Sequence, residues 1–291
     1  MQILGFSEYK QASQRLAERL SVDWVEVYVH HFPDAESLVR LPVDLSEHIV
    51  ICRSLNQPND KLIELLLTVK TARESGVKRV TLVAPYLCYM RQDIANQPGE
   101  AVSQRIIGQL LADLFDDVIT VDPHLHRISR LEQAVPVSNA ISLTAGEAIA
   151  DFLKKRLKQA VLFGPDEESE QWVRAIAEKT GFDYAVAHKL RKGDKNVSIT
   201  LPDFNFSGRT VVLVDDMAST GRTLAQAAGL VRQAGAVDLY AAITHPLFCG
   251  DAEKVIREAG IQEIWSSDSI PHPTACIHLD ELLCQAIREI I

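Results

Sequence analysis

No uninterrupted apolar run in the 291 residues approaches the roughly 20 that a membrane span requires. The first residues, MQILGFSEYK, hold no basic segment leading into an apolar core. No signal peptide is therefore expected, and the chain is expected in the cytoplasm and off the membrane. There is no Cys-x-x-Cys pair of the kind that holds zinc. The five cysteines, Cys52, Cys88, Cys249, Cys276 and Cys284, are odd in number and scattered, mostly in apolar runs. That pattern reads as buried thiols in a reducing compartment rather than a disulfide framework. Positive charge is in deficit: 30 Lys and Arg stand against 39 Asp and Glu, a formal net charge of −9. A nucleic-acid partner would need a basic face, so none is expected. Phosphate ligands remain open, because a local cradle can be positive on an acidic protein. Low-complexity tracts and short-period repeats are missing too.

What is present is a soluble globular balance, 47% hydrophobic and 24% charged, over a length that suits two α/β domains. Strand-like and helix-like runs alternate almost throughout. Residues 25–29 (VEVYV), 48–52 (HIVIC), 80–84 (VTLVA) and 117–121 (DVITV) read as strands. Residues 60–73 carry Leu62, Leu65, Leu66 and Val69 at helical spacing, with Asn59 or Asp60 as N-cap, and residues 103–114 form a second helix that Ser103 could cap. A second series follows: helix 144–157, strand 160–163, helix 168–179, strands 184–188 and 210–214, helix 223–233, strand 239–244, and a final helix 280–291 that could close back on the first domain. Repeated βα units imply parallel sheets covered by helices. The division falls at residues 139–144, giving domains 1–142 and 143–291. In such sheets ligands sit beyond the carboxyl ends of the strands.

The densest chemistry lies in residues 210–224, TVVLVDDMASTGRTL. Four buried-strand residues lead into Asp215 and Asp216, then a small-residue turn of Ala218, Ser219, Thr220 and Gly221, then a helix. A strand that delivers hydroxyls and backbone N–H groups to a helix start makes an anion cradle. Two adjacent carboxylates would repel phosphate, so they face sugar hydroxyls or a metal. The site suits a sugar phosphate, and this stretch looks like the phosphoribosyl-diphosphate loop of the phosphoribosyltransferase fold. Two readings follow: a transferase that consumes phosphoribosyl diphosphate, or the kinase that makes it.

Other groups fall just after expected strands. Phe32, Asp34 and Glu36 could stack a base and accept from its exocyclic amine. Arg91 could hold a phosphate, with Gln92 and Asp93 as hydrogen-bonding partners. Asp122, His124 and His126 alternate after residues 117–121, a pattern for a divalent cation or phosphate. Lys189 and Arg191 alternate onto one face at the start of a polar segment, ending at Asp203, that reads as a mobile loop. Two cations beside a lid suit phosphoryl or diphosphoryl transfer, where catalysis is mostly positioning and electrostatics.

In order along nearly the whole chain, these segments resemble the ribose-phosphate diphosphokinase (phosphoribosyl diphosphate synthetase) family. FPDAE resembles its FxDGE adenine loop, and the stretch ending in MRQD its ARQD motif. PGEAVSQRIIGQLLADLFDDVITVDPH resembles its PGE…VDxH stretch, HKLR its KxR motif, and VVLVDDMASTGRTL its ribose-phosphate loop. The first and third are absent from ordinary phosphoribosyltransferases, which favours the kinase.

The resemblance implies two phosphoribosyltransferase-like domains, an ATP side and a ribose 5-phosphate side, and an Mg2+-dependent transfer of diphosphate from ATP to ribose 5-phosphate. Phe32, Asp34 and Glu36 would contact adenine, reaching into a neighbouring subunit. Arg91, Gln92, Asp93 and His124 would hold ATP, and His124 and Asp166 would help bind magnesium. Lys189 and Arg191 would be catalytic. Asp215, Asp216, Ser219, Thr220, Gly221 and Thr223 would bind ribose 5-phosphate. A homo-oligomer built on a dimer, up to a hexamer, is the implied assembly. The chain departs from the pattern at four places: Glu167 and Glu168 replace a glycine-rich turn, Arg222 replaces a glycine, Ile94 a basic residue, and Ala35 the adenine-loop glycine. These departures leave a non-catalytic regulatory paralogue, binding nucleotide or a catalytic partner, as an alternative reading, with a phosphoribosyltransferase as the second.

Overall fold

The computed structural model describes residues 1–125, 127–192 and 196–291, and for 189–192 and 196–199 the backbone alone. The chain folds as two compact units. The first comprises Met1–Thr144, Ser269–Pro271 and Leu279–Ile291; the second comprises Ala145–Asp268 and His272–His278.

The first unit is built on β1 (Gln2–Gly5), β2 (Asp23–Glu26), β3 (Tyr28–His31), β4 (Ser37–Arg40), β5 (His48–Cys52), β6 (Arg79–Ala84), β7 (Asp117–Val121) and β8 (Asn139–Leu143). Its helices are α1 (Lys10–Leu20), α2 (Pro58–Glu74) and α3 (Ser103–Leu114). Six strands form one sheet in the order β2-β1-β5-β6-β7-β8, every pair parallel. The central strands β5, β6 and β7 are almost wholly buried. A strand covered on both faces must be apolar at every position, which is why these three stand out in the sequence. Between β2 and β5 the chain leaves the sheet and forms the two-stranded antiparallel hairpin β3–β4. Residues 25–29 are therefore not one strand: β2 ends at Glu26, Val27 is buried, and Tyr28 opens the hairpin.

The second unit repeats this plan. Its strands are β9 (Val161–Gly164), β10 (Asp183–Val186), β11 (His188–Lys192), β12 (Asn196–Thr200), β13 (Thr210–Ala218), β14 (Asp238–Pro246), β15 (Glu263–Ser267) and β16 (Ala275–Ile277). Its helices are α4 (Gly146–Arg156), α5 (Glu170–Thr180), α6 (Arg222–Gln233) and α7 (Ala252–Glu258). The parallel sheet runs β10-β9-β13-β14-β15-β16, and β11–β12 is again an antiparallel hairpin set aside from it. Strand for strand the two orders match. The polar segment after Arg191 thus includes a paired strand, β12, where the sequence suggested a loop. The run at 184–188 likewise divides between β10 and β11.

The last helix, α8 (Asp280–Ile290), belongs to the first unit and packs on α1. Leu283, Ala286 and Ile287 form its buried face. Arg19 of α1 donates to both Asp280 and Glu281, and Arg288 donates to the Arg19 carbonyl at 2.9 Å. Two expected caps are absent. The N-cap of α2 is Gln57 in a left-handed conformation, with Pro58 at the first helical position, and that of α3 is Val102. Asn59 instead accepts from the Tyr89 hydroxyl at 2.6 Å, and Ser103 donates to Gln92 at 2.5 Å. No helix among the described residues is long and apolar enough to cross a membrane.

At the start of β7, Asp117 is buried and ties three neighbouring strands. It accepts from Arg79 Nε at 2.8 Å, Thr81 Oγ1 at 2.9 Å and Asn139 Nδ2 at 2.5 Å. Burial opposes its charge, but Arg79, Asn139 and Thr81 together hold its carboxyl below the usual range. A carboxylate lowered in this way stabilises the fold fully above its unfolded pKa of about 3.9 and loses that contribution as pH falls through the folded value. Asp117→Asn should cost about 1–3 kcal/mol at neutral pH. The gap between variant and parent should close in acid, as read by urea denaturation at a series of pH values; a gap independent of pH would remove the charge from the account.

Candidate active site

Because each sheet is fully parallel, the C-terminal ends of its strands lie along one edge, and the expected site residues after β6, β7, β9 and β13 follow those ends. In the second unit β13 runs on through Asp215, Asp216 and Met217 to Ala218, further than the apolar run alone suggests. Asp216 is buried and Asp215 half-buried, and the Asp216 amide donates to Asp215 Oδ1 at 3.1 Å. Burial, followed by the charges of Asp216 and Asp166, pushes the Asp215 carboxyl well above its ordinary range. Asp166 therefore shares this corner. It follows β9, next to β13 in the sheet, and Val161 to Phe163 pair with Val211 to Leu213.

The turn after β13 is built for close approach. Ser219 and Thr220 lead to Gly221, whose φ of +71° is left-handed, and α6 begins at Arg222 with this glycine as an N-cap that has no side chain to offer. The first-turn N–H groups of α6 have no intrahelical acceptor and point out of the helix start. A Cβ on Gly221 would sit 2.8 Å from the Ala252 carbonyl oxygen and 2.8 Å from Ile256 Cγ1. Conformation and packing against α7 both demand glycine here. Thr220, Arg222 and Thr223 are exposed, and Ser219 Oγ lies 3.7 Å from Cys249 Sγ.

The expected glycine-rich turn after β9 is replaced by one turn of 3-10 helix, Glu167–Ser169, leading into α5. Asp166 caps it, accepting from the Ser169 amide at 3.2 Å, while Glu167 and Glu168 are exposed. Glu167 lies 3.9 Å from His188 Nδ1. Carboxylates in a first helical turn are favoured by the helix dipole, which accounts for this placement locally. Lys189 and Arg191 lie on β11, paired across the hairpin with Ile199 and Val197. Their side chains lie outside the described residues, as does His126.

In the first unit, Arg91, Gln92 and Asp93 occupy the loop after β6, and His124 the loop after β7, the adjacent strand. Arg91 is exposed. The Gln92 side chain accepts from Ser103, and its carbonyl accepts from the Gln104 amide at 3.1 Å, so it also fixes the start of α3. Asp93 accepts from Arg127 Nη1 at 2.6 Å, while its other oxygen, Oδ2, is buried and has no hydrogen-bond partner among the described residues. Arg127 thus joins the two loops. Nothing in the spacing of Arg127 along the sequence connects it to Asp93. Asp122 is buried with φ of +37°, a strained conformation for a non-glycine residue at the mouth of the loop.

Phe32, Asp34 and Glu36 lie at the tip of the β3–β4 hairpin, all exposed. The tip is closed by Phe32 N–H to the Glu36 carbonyl at 2.8 Å and Ala35 N–H to the Phe32 carbonyl at 2.9 Å. Ala35 has φ of +69°. The turn requires the conformation that glycine adopts freely, and alanine holds it at a cost of about 1 kcal/mol.

Comparison with known proteins gives a consistent picture. Residues 1–114 match the N-terminal domain of ribose phosphate pyrophosphokinase, and residues 156–291 the phosphoribosyl synthetase-associated domain. A ribose-phosphate pyrophosphokinase of Methanopyrus kandleri is 34% identical over 100% of this chain and 99% of its own length. One from Thermoplasma acidophilum is 30% identical over 99% of this chain and 98% of its own. In fold, the chain matches the crystal structure of phosphoribosylpyrophosphate synthetase from Mycobacterium smegmatis with a TM-score of 0.81, at 23% identity, over 99% of this chain and 98% of that one.

Gly221→Ala should destabilise the protein by about 1–3 kcal/mol, from a left-handed backbone together with contact against Ala252 and Ile256. Chemical denaturation measures it. An unchanged midpoint would show that α7 yields freely at this turn.

Proposed function

The chain belongs to the ribose-phosphate pyrophosphokinase family, and on that footing we propose how its residues divide the transfer of the β,γ-diphosphoryl group of ATP to the anomeric hydroxyl of ribose 5-phosphate, giving phosphoribosyl diphosphate and AMP. The observation that carries the reading is the corner where β13 delivers Asp215 and Asp216 beside an uncapped helix start. Carboxylates accept from the ribose hydroxyls. Ser219, Thr220, Thr223 and the N–H groups after Gly221 hold the 5-phosphate, as donors at a helix N-terminus do for anions. On this reading the second unit supplies the ribose 5-phosphate side and the first unit, which takes back the final helix from the expected 143–291 domain, the ATP side.

On the ATP side, Phe32 stacks on adenine, Asp34 and Glu36 accept from its amine, and Arg91, Gln92, Asp93 and His124 hold the nucleotide and its phosphates. The buried Asp93 oxygen that meets no hydrogen-bond partner among the described residues supports a polar ligand at that loop. Lys189 and Arg191 supply positive charge to the phosphate oxygens as the diphosphoryl group moves, with the anomeric oxygen attacking the β-phosphorus and AMP departing.

Mg2+ is the expected cofactor. Asp166, close to Asp215 and Asp216, offers hard oxygen donors in a corner where like charges oppose one another, which fits a small divalent cation. His124, a nitrogen donor in the first unit, is the weaker match for that ion. When bound, the ion would offset phosphate charge on ATP. The five free cysteines, three of them buried, support a cytoplasmic setting.

Release of AMP from ATP, dependent on both ribose 5-phosphate and Mg2+, is the direct assay. Lys189→Ala should lower turnover about a hundredfold or more, as loss of one transition-state contact commonly does. Near-normal turnover would remove Lys189 from the mechanism, and no AMP release by the parent protein would point to a non-catalytic relative. We further propose a homo-oligomer, built on a dimer and extending to a hexamer, in which the exposed hairpin tip completes a partner's base site. Light scattering should find no fully active monomer.

A further inference from the structure

Behind the β3–β4 hairpin lies a buried charge that the roles above do not use. Glu64 sits on α2 with its side chain 2% exposed. On one side Arg53, the residue after β5 and itself buried, donates through Nη2 to Glu64 Oε2. Arg53 also donates through Nε to Glu8 at 2.7 Å and lies over the Phe6 ring, 3.7 Å from its centre. Lys61, one turn earlier on α2, is held by the Ser54 carbonyl and Asn56 Oδ1, each at 2.8 Å. On the other side, Glu64 Oε1 is 2.7 Å from His31 Nε2 and accepts from Ser37 Oγ at 3.1 Å. His31 and Ser37 are register partners, the last pair of the hairpin before the 32–36 tip. One carboxylate oxygen therefore grips both strands at the rung from which the tip projects.

A two-stranded hairpin standing apart from any larger sheet is marginal by itself, so its orientation depends on what anchors it. Val29 and Val39 pack against the core of the first unit, but Tyr28, Phe32 and Leu38 are exposed. Burial works against the Glu64 charge, yet Arg53, His31 and Ser37 hold its carboxyl below the usual range. The acceptor thus stays ionised, and hydrogen bonds to an ionised acceptor are the stronger kind.

We infer that Glu64, held by Arg53, is the positioning residue that aims the 32–36 tip through His31 and Ser37. This rests on the reading of that tip as the base-contacting element. The test is steady-state kinetics of His31→Ala/Ser37→Ala beside Phe32→Ala, with thermal midpoints measured for each. Removing the two grips leaves the Arg53–Glu64 pair intact, so the fold should survive. The double variant should raise KM for ATP about three- to tenfold, the range expected for one or two hydrogen bonds. KM for ribose 5-phosphate, kcat and the midpoint should stay within about twofold or a degree or two. His31→Gln/Ser37→Thr, which keeps both donors, should restore KM for ATP.

If Phe32→Ala raises KM for ATP while the double variant does not, the positioning role is overturned and the base-contact reading stands. If Phe32→Ala changes nothing, the base-contact reading fails and the positioning role with it. Equal rises in both Michaelis constants with a fallen midpoint would show a purely structural contact, and would also overturn the inference.

Discussion

Parallel pairing constrains everything else in this molecule. Once all six strands of a sheet run the same way, their carboxyl ends share one edge and their amino ends the other. The two edges then do different work. At the amino edge of the first sheet, polar groups are consumed internally: Asp117, Arg79, Thr81 and Asn139 satisfy one another and tie β6, β7 and β8. At the carboxyl edge, polar groups are only partly satisfied. Asp93 keeps an oxygen without a partner among the described residues, Asp215 is pressed against like charge, and the N-cap of α6 is a glycine with no side chain to cap it. Unsatisfied polarity costs stability wherever it is buried, and a polar ligand at this edge would supply the missing partners.

The same plan appears twice, with different chemistry at one corresponding place. Gln2 pairs with Asp23 and Ile49 in the first sheet as Val161 pairs with Asp183 and Val211 in the second. By that register Arg53 and Ser54 of the first unit correspond to Asp215 and Asp216 of the second. Where one unit leaves two acids at the end of its strand, the other places a guanidinium and closes it with Glu64 from the following helix. A buried pair of this sort adds little net stability over apolar packing, since desolvation offsets most of the attraction. Its structural consequence is to fill the corner and leave the second Glu64 oxygen for the hairpin. The hairpins correspond as well: β3–β4 bears Phe32, Asp34 and Glu36, and β11–β12 bears Lys189 and Arg191. Each projects from the same point in the topology.

How far the sequence could be read follows from where the information lies. β5, β6, β7 and β13 are legible because burial on both faces leaves nearly continuous apolar runs. β1 is four residues long, and α1 is rich in polar residues with Leu16 and Leu20 as its large apolar positions, so neither stands out as an apolar run. The hairpins mislead because each begins a residue or two after a sheet strand, so that VEVYV reads as one element when Val27 is the joint between two. In the site, Asp215, Asp216 and Gly221 announce themselves because strand, acids and turn are contiguous. Arg127, Arg53 and Glu64 do not, because their partners lie on other elements. Arg127 meets Asp93 from the next loop, and Glu64 on α2 meets His31 at the end of β3. Only folding brings such pairs together, and no local pattern records them.

The departures from the family pattern separate into two physical kinds. Ala35 is a residue in a glycine's conformation: the tip keeps its hydrogen bonds, and the backbone carries the strain. Glu167, Glu168 and Arg222 are changes of charge rather than of shape. All three side chains are exposed in the first turns of helices. For the two glutamates that position is electrostatically favoured, which is how a glycine-rich turn can be replaced without disturbing the strand before it. Arg222 is the reverse case, a cation at the positive end of α6. The helix dipole disfavours it there, and a phosphate bound to the same N-terminus would offset that cost. On the proposed reading of this turn as a phosphate cradle the charge is accounted for, whereas at a helix start that bound nothing it would only weaken the fold.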